Sequence, residues 1–122
     1  MTLAELHGQP VVVNLWASWC PPCRREMPVL LQARSAHGQV RFLWINQGEQ
    51  PEAVTRFAAQ HALPIADVLL DPSSQLGLTL GHKALPTTLF YDADGHLRAV
   101  RAGELSSATL AHHLAQIAAG TP

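Results

Sequence analysis

The sequence predicts an α/β domain built on a mixed sheet flanked by helices. Three observations carry that expectation. Val11 to Ala17 is an almost unbroken apolar, β-branched run, which suits a strand covered on both faces. Further strand-like runs then alternate with helical patterns, the mark of parallel βαβ units. Near the end, Asp94-Gly95 separates two strand-like runs and marks a hairpin.

The elements follow in order. After the first strand, Cys20-Pro21-Pro22-Cys23 opens a helix, since proline is tolerated in a first turn whose amides lack carbonyl partners. That helix is predicted over Pro21 to Ala36, with a kink at Pro28 and an end at His37-Gly38. Val40 to Asn46 reads as a second buried strand. Pro51 opens another helix, with Val54, Phe57, Ala58 and His61 on one face. Ala66 to Leu70 is a short strand, and Asp71-Pro72-Ser73 begins a brief helix through about Leu80. Thr87 to Tyr91 and His96 to Ala102 form the hairpin. Ser106 or Ser107 caps a last helix that places Leu110, Leu114 and Ile117 on one side.

Composition limits the function classes. The chain has 122 residues, 48% apolar, which fits a single domain over 1–122 and excludes disorder. With 8 basic and 9 acidic residues and a net charge of −1, it lacks the clustered basic face a nucleic-acid binder needs. No apolar run is long enough to span a bilayer. The ten residues before the first strand hold no export signal. The protein is therefore cytoplasmic, or its signal or membrane anchor lies outside this chain.

The two cysteines carry the chemistry. Cys20 and Cys23 close too small a loop to serve as a long-range staple. Zinc would need two more ligands at a suitable spacing, and the seven histidines offer no convincing pair, so no metal and no other cofactor is expected. A dithiol at a helix N-terminus is instead suited to redox work, because the partial positive charge and free amides there favour thiolate. Cys20, the outer residue, is expected to be the exposed nucleophile, and Cys23 the resolving thiol. Pro21 and Pro22 remove two amide donors from the Cys20 thiolate, leaving the Cys23 amide. That weakens stabilisation of the reduced form and biases the dithiol towards reductant behaviour.

Trp16-Ala17-Ser18-Trp19-Cys20-Pro21-Pro22-Cys23, with Pro28 downstream and Leu85-Pro86-Thr87-Thr88 beyond, resembles the thioredoxin superfamily. More narrowly it is similar to the TlpA/ResA/CcmG (DsbE) branch of thiol:disulfide oxidoreductases, from about Pro10 to the last helix. The resemblance implies the thioredoxin fold and a cis-proline at Pro86 beside the dithiol, with Leu85 offering its backbone to a substrate strand. It implies that Trp19, next to the nucleophile, helps form the docking surface, with Pro21 and Pro22 among the substrate-binding residues. Glu26, one turn after Cys23, matches the buried glutamate of the ResA-like members, which manages the resolving cysteine's proton; a solvated glutamate beside Arg24 and Arg25 is the alternative. Thioredoxins themselves carry an aspartate where this chain has Asn14, which cannot exchange a proton. The long gap between Cys23 and Pro86 leaves room for the extra helix–strand unit of the TlpA-like branch, and Asn46-Gln47-Gly48-Glu49 also resembles it. Trp16 is expected beneath the site and Trp44 in the core. His82 is read as a surface residue, with the edge of the substrate groove as the alternative, and the other histidines as solvated.

The resemblance implies a monomeric protein-disulfide reductase of the periplasm, with cytochrome c maturation as an example. Its substrates would be oxidised protein dithiols such as those of apocytochrome c. Its electron donor would be a membrane thiol reductase of the DsbD or CcdA type. A disulfide oxidase or isomerase, a cytosolic thioredoxin and a non-catalytic thioredoxin-fold binding module are the alternatives.

Overall fold

The computed structural model describes residues 8–76 and 84–118. The element order is β1 (Val11–Trp16), α1 (Pro21–Ala36), β2 (Arg41–Gln47), α2 (Pro51–His61), a 3₁₀ turn (Ile65–Asp67), β3 (Val68–Asp71), β4 (Thr87–Tyr91), β5 (Leu97–Ala102) and α3 (Ser107–Ala118). The five strands form one sheet in the order β3-β2-β1-β4-β5. β1 pairs parallel with β2, and β2 with β3, while β4 runs antiparallel to β1 and β5. This is the mixed sheet the sequence predicts, and α2 with β3 forms the extra helix–strand unit.

β1 is central and buried at all six positions, which explains its uninterrupted apolar character. Strand alternation divides its side chains. Val12 and Trp16 enter one core with Met27 and Leu30 of α1, Val54 and Phe57 of α2, and Leu110, Leu114 and Ile117 of α3. Val11, Val13 and Leu15 enter a second cluster on the opposite face with Leu43 and Leu89. Asn14 shares the parity of Val12 and Trp16, so its amide points to the helix-covered face. There it stands opposite Thr88 of β4.

α1 has the bounds the sequence predicts, and Pro28 sits inside it without ending it. β2 begins and ends one residue later than expected, at Arg41 and Gln47. The expected strand over Ala66 to Leu70 is shifted to Val68–Asp71. The Asp67 amide closes a 3₁₀ turn on the Pro64 carbonyl, and the Asp67 carboxylate is held by Arg34 of α1 and Arg41 of β2. The hairpin turn is fixed by Asp92, whose side chain accepts from the amides of Asp94 and His96, with Gly95 at φ 83°. Ser106 caps α3 by accepting from the Thr109 amide. The helix expected through Leu80 runs outside the described residues, and His82 lies there too. No helix among the described residues is long and apolar enough to cross a membrane.

Candidate active site: the Cys20–Cys23 dithiol

β1 delivers the chain from the sheet centre directly onto the α1 N-terminus. Cys20 is the helix cap, in extended conformation, and its sulfur accepts from the Cys23 amide at 3.3 Å. With Pro21 and Pro22 unable to donate, this is the one backbone hydrogen bond on that sulfur among the described residues. The two cysteines are joined as a disulfide, with their Cα atoms 5.3 Å apart. One expectation needs correction. Cys20 is only 3% exposed, scarcely more than the fully covered Cys23. As a cap bonded to Cys23, its side chain folds back over the first turn and packs into the helix-side core. The exposed group is Trp19, at 67%.

Glu26 lies one turn beyond Cys23 on the same face of α1, and it is fully buried. The solvated alternative is therefore excluded, and Arg25 instead pairs with Glu104 on the surface. The Glu26 carboxylate accepts from Asn14 Nδ2 at 2.6 Å and from the Leu105 amide at 2.9 Å. Burial pushes its pKa up to about 7 despite these two hydrogen bonds, which work in the opposite direction, with a small further push from Glu104. A carboxyl poised near neutrality can take or give a proton where neither an ordinary glutamate nor an asparagine could. The sequence reading missed the groups that hold it. Asn14, which also donates to Thr88 at 3.1 Å, was legible as a polar residue in a buried strand; the Leu105 amide had no sequence signal.

A second carboxylate fixes the loop before Cys20. Glu49 accepts from the Ser18 amide and from Asn46 Nδ2, and its other oxygen accepts from the Ser18 hydroxyl. Burial pushes its pKa up, but the hydrogen bonds from Asn46 and Ser18 outweigh that, so the net shift is downward. Glu49 thus remains ionised while Glu26 hovers near neutrality. The sequence offered Asn46-Gln47-Gly48-Glu49 only as a family likeness; its grip on Ser18 emerges from the β2–α2 turn.

Leu85-Pro86 is a cis peptide, as expected, and Leu85 packs against the cluster that contains both cysteines. Trp16 is buried against Phe57, with ring centroids 4.7 Å apart, and Trp44 is in the core. Not every histidine is simply solvated: His61 stacks on Phe57 at 4.0 Å and His113 lies against Phe90 at 4.7 Å. Asp92, Asp94 and His96 gather at the hairpin, away from the dithiol, where Asp92 already serves the turn amides.

Comparisons with known proteins agree with this geometry. The redoxin family model matches residues 1–114. The thiol:disulfide interchange protein DsbE of Allochromatium vinosum is 35% identical over 120 residues, covering 98% of this chain and 65% of that protein. The thiol-disulfide oxidoreductase ResA of Geobacillus thermodenitrificans is 30% identical over 117 residues, covering 94% and 67%. The chain thus spans less than two thirds of the first protein and about two thirds of the second. A thiol:disulfide interchange protein of the thioredoxin family from Chlorobium tepidum TLS superposes with a TM-score of 0.83 at 26% identity, over 96% of this chain and 85% of its own. The fold is that of thioredoxin, and by sequence and architecture together the chain belongs to the redoxin family.

Proposed function

We propose that this single-domain chain is a thiol:disulfide oxidoreductase that reduces protein disulfides outside the cytoplasm. The observation that carries the reading is a Cys20–Cys23 pair at a helix N-terminus, one turn from a buried carboxyl with a pKa near 7. In the reduced protein, the Cys20 thiolate attacks a substrate disulfide. A mixed disulfide forms and the substrate's other sulfur leaves as thiolate. Cys23 then attacks the Cys20 sulfur, releasing the second substrate thiolate and regenerating the Cys20–Cys23 disulfide. Two electrons pass to the substrate. Glu26 accepts the Cys23 proton as that thiol becomes the attacking thiolate.

Trp19, Pro21 and Pro22 form the surface the substrate meets, and Leu85 and Pro86 hold its extended backbone. The substrates are oxidised protein dithiols, as the dithiol chemistry and the thiol:disulfide interchange relatives support, and apocytochrome c is the substrate proposed among them. A membrane thiol reductase of the DsbD or CcdA type returns the protein, a monomer, to the dithiol state.

The test is capture of the intermediate. With Cys23→Ser, a peptide carrying an oxidised cysteine pair should remain attached to Cys20 as a stable adduct that dithiothreitol releases. Absence of an adduct, with Cys20 shown to be free and alkylatable, contradicts the assignment of the nucleophile.

A further inference from the structure

Beside the dithiol lies a polar hollow of about 200 Å³ between the start of α1 and the outer face of α2. Ser18, Arg24, Arg56, Phe57, Gln60 and His61 line it. Its charge is unbalanced. Arg25 pairs with Glu104, Arg34 and Arg41 share Asp67, and Arg98 meets Asp92. Arg24 and Arg56 meet no carboxylate among the described residues; Arg101, on β5, is the other arginine of which this is true. Two of these three unpaired guanidiniums therefore face one hollow next to the nucleophile. The nearby acids form no ion pair with them. Glu49 is held by Ser18 and Asn46, and Glu52, one turn before Arg56, forms no ion pair with it.

We propose that this hollow is a specificity subsite that takes an acidic side chain of the polypeptide whose disulfide Cys20 attacks. Two guanidiniums suit a carboxylate, which each can bind through paired N–H donors. The His61 ring, stacked on the buried Phe57, gives the methylenes of a glutamate a flat surface to lie on. Position supports the same occupant. In the sheet, β4, which follows Leu85 and Pro86, flanks β1 on one side, and β2, which leads into α2, flanks it on the other. A substrate strand seated on Leu85 and crossing Cys20 is thus led towards the hollow. Opposite charge there speeds encounter and favours one register over others.

The inference rests on the thiol–disulfide reading, and the experiment separates the two. Disulfide-bonded peptides are prepared in pairs, with a single Glu or Gln moved through each position flanking the attacked cysteine. Rates of reduction by the reduced protein are compared with the rate for a small neutral disulfide. At one or two positions the Glu peptide should react about fivefold faster than its Gln twin. Raised salt should shrink that ratio, and Arg24→Gln with Arg56→Gln should bring it to about one. Equal rates for Glu and Gln at every position, or a ratio that survives both substitutions, overturns the subsite while leaving exchange intact. Failure to reduce any disulfide, the small one included, overturns the exchange reading and the subsite with it.

Discussion

Asn14 of β1 donates its side-chain amide to Glu26 of α1 at 2.6 Å, tying the central strand to the helix that begins with the dithiol. Asn14 Oδ1 has no hydrogen-bond partner among the described residues. An ionised Glu26 requires a donor, which Nδ2 supplies. A protonated Glu26 requires an acceptor, and turning the amide over brings Oδ1 into that role. One neutral residue can therefore serve both protonation states of the carboxyl, which an aspartate at this position could not do without adding charge.

The raised Glu26 pKa makes stability depend on pH in a defined direction. Between its ordinary value of 4.5 and about 7, the folded protein keeps the proton that the unfolded chain has released. Rising pH across that window therefore favours unfolding. The stabilising contribution is fully present below about 4.5 and lost as pH passes 7. Relative to Glu26→Gln, with both proteins oxidised, the native protein should lose roughly 3 kcal/mol between these limits. Urea unfolding at several pH values measures it. Parallel stability profiles for the two proteins would remove Glu26 from its titrating role.

Asn14→Asp places a second carboxyl against Glu26. Two carboxylates at this distance cannot both ionise near neutral pH, so the pair should titrate with one apparent pKa above the value of about 7 that Glu26 has alone. Carboxyl-carbon NMR titration reads both groups. Two ordinary carboxylate titrations would show that the side chains do not share the site.

Glu49 behaves in the opposite sense. Its pKa is lowered, so its contribution to stability is present above the ordinary carboxylate range and lost as pH falls through the folded value. Glu49→Gln should cost about 1–2 kcal/mol at neutral pH by weakening the charge-assisted bonds to Ser18. The loss should disappear in acid, where the native glutamate is protonated too. Trp19, next to Ser18, should report the loosened loop through its fluorescence anisotropy. A pH-independent difference between the two proteins would show that charge is not what holds Ser18.

What was legible in the sequence follows from the range over which each signal acts. β1, α1 and the hairpin were readable because their causes are local: a β-branched run, prolines in a first turn, and an aspartate-led turn closing on Gly95. Burial of Glu26 was expected only by family likeness, since helix spacing places it on a face without saying what covers that face. The groups that hold it come from β1 and the segment before α3, and no local pattern brings these together. The same is true of Glu49, whose hold on Ser18 depends on β2 lying beside β1. Cys20 was read as exposed because it precedes the helix. Its burial follows from the side chain turning inward as a cap, a choice made by tertiary packing.

The reduction potential of the Cys20–Cys23 couple tests the central claim most directly. Equilibration with dithiothreitol or glutathione buffers, followed by the fluorescence of Trp19, gives its value. Pro21 and Pro22 deprive a Cys20 thiolate of two amide donors, which predicts a reducing couple near the thioredoxin end of the scale, about −270 mV. A value near the DsbA end, about −120 mV, would contradict the account and make the protein a donor of disulfides.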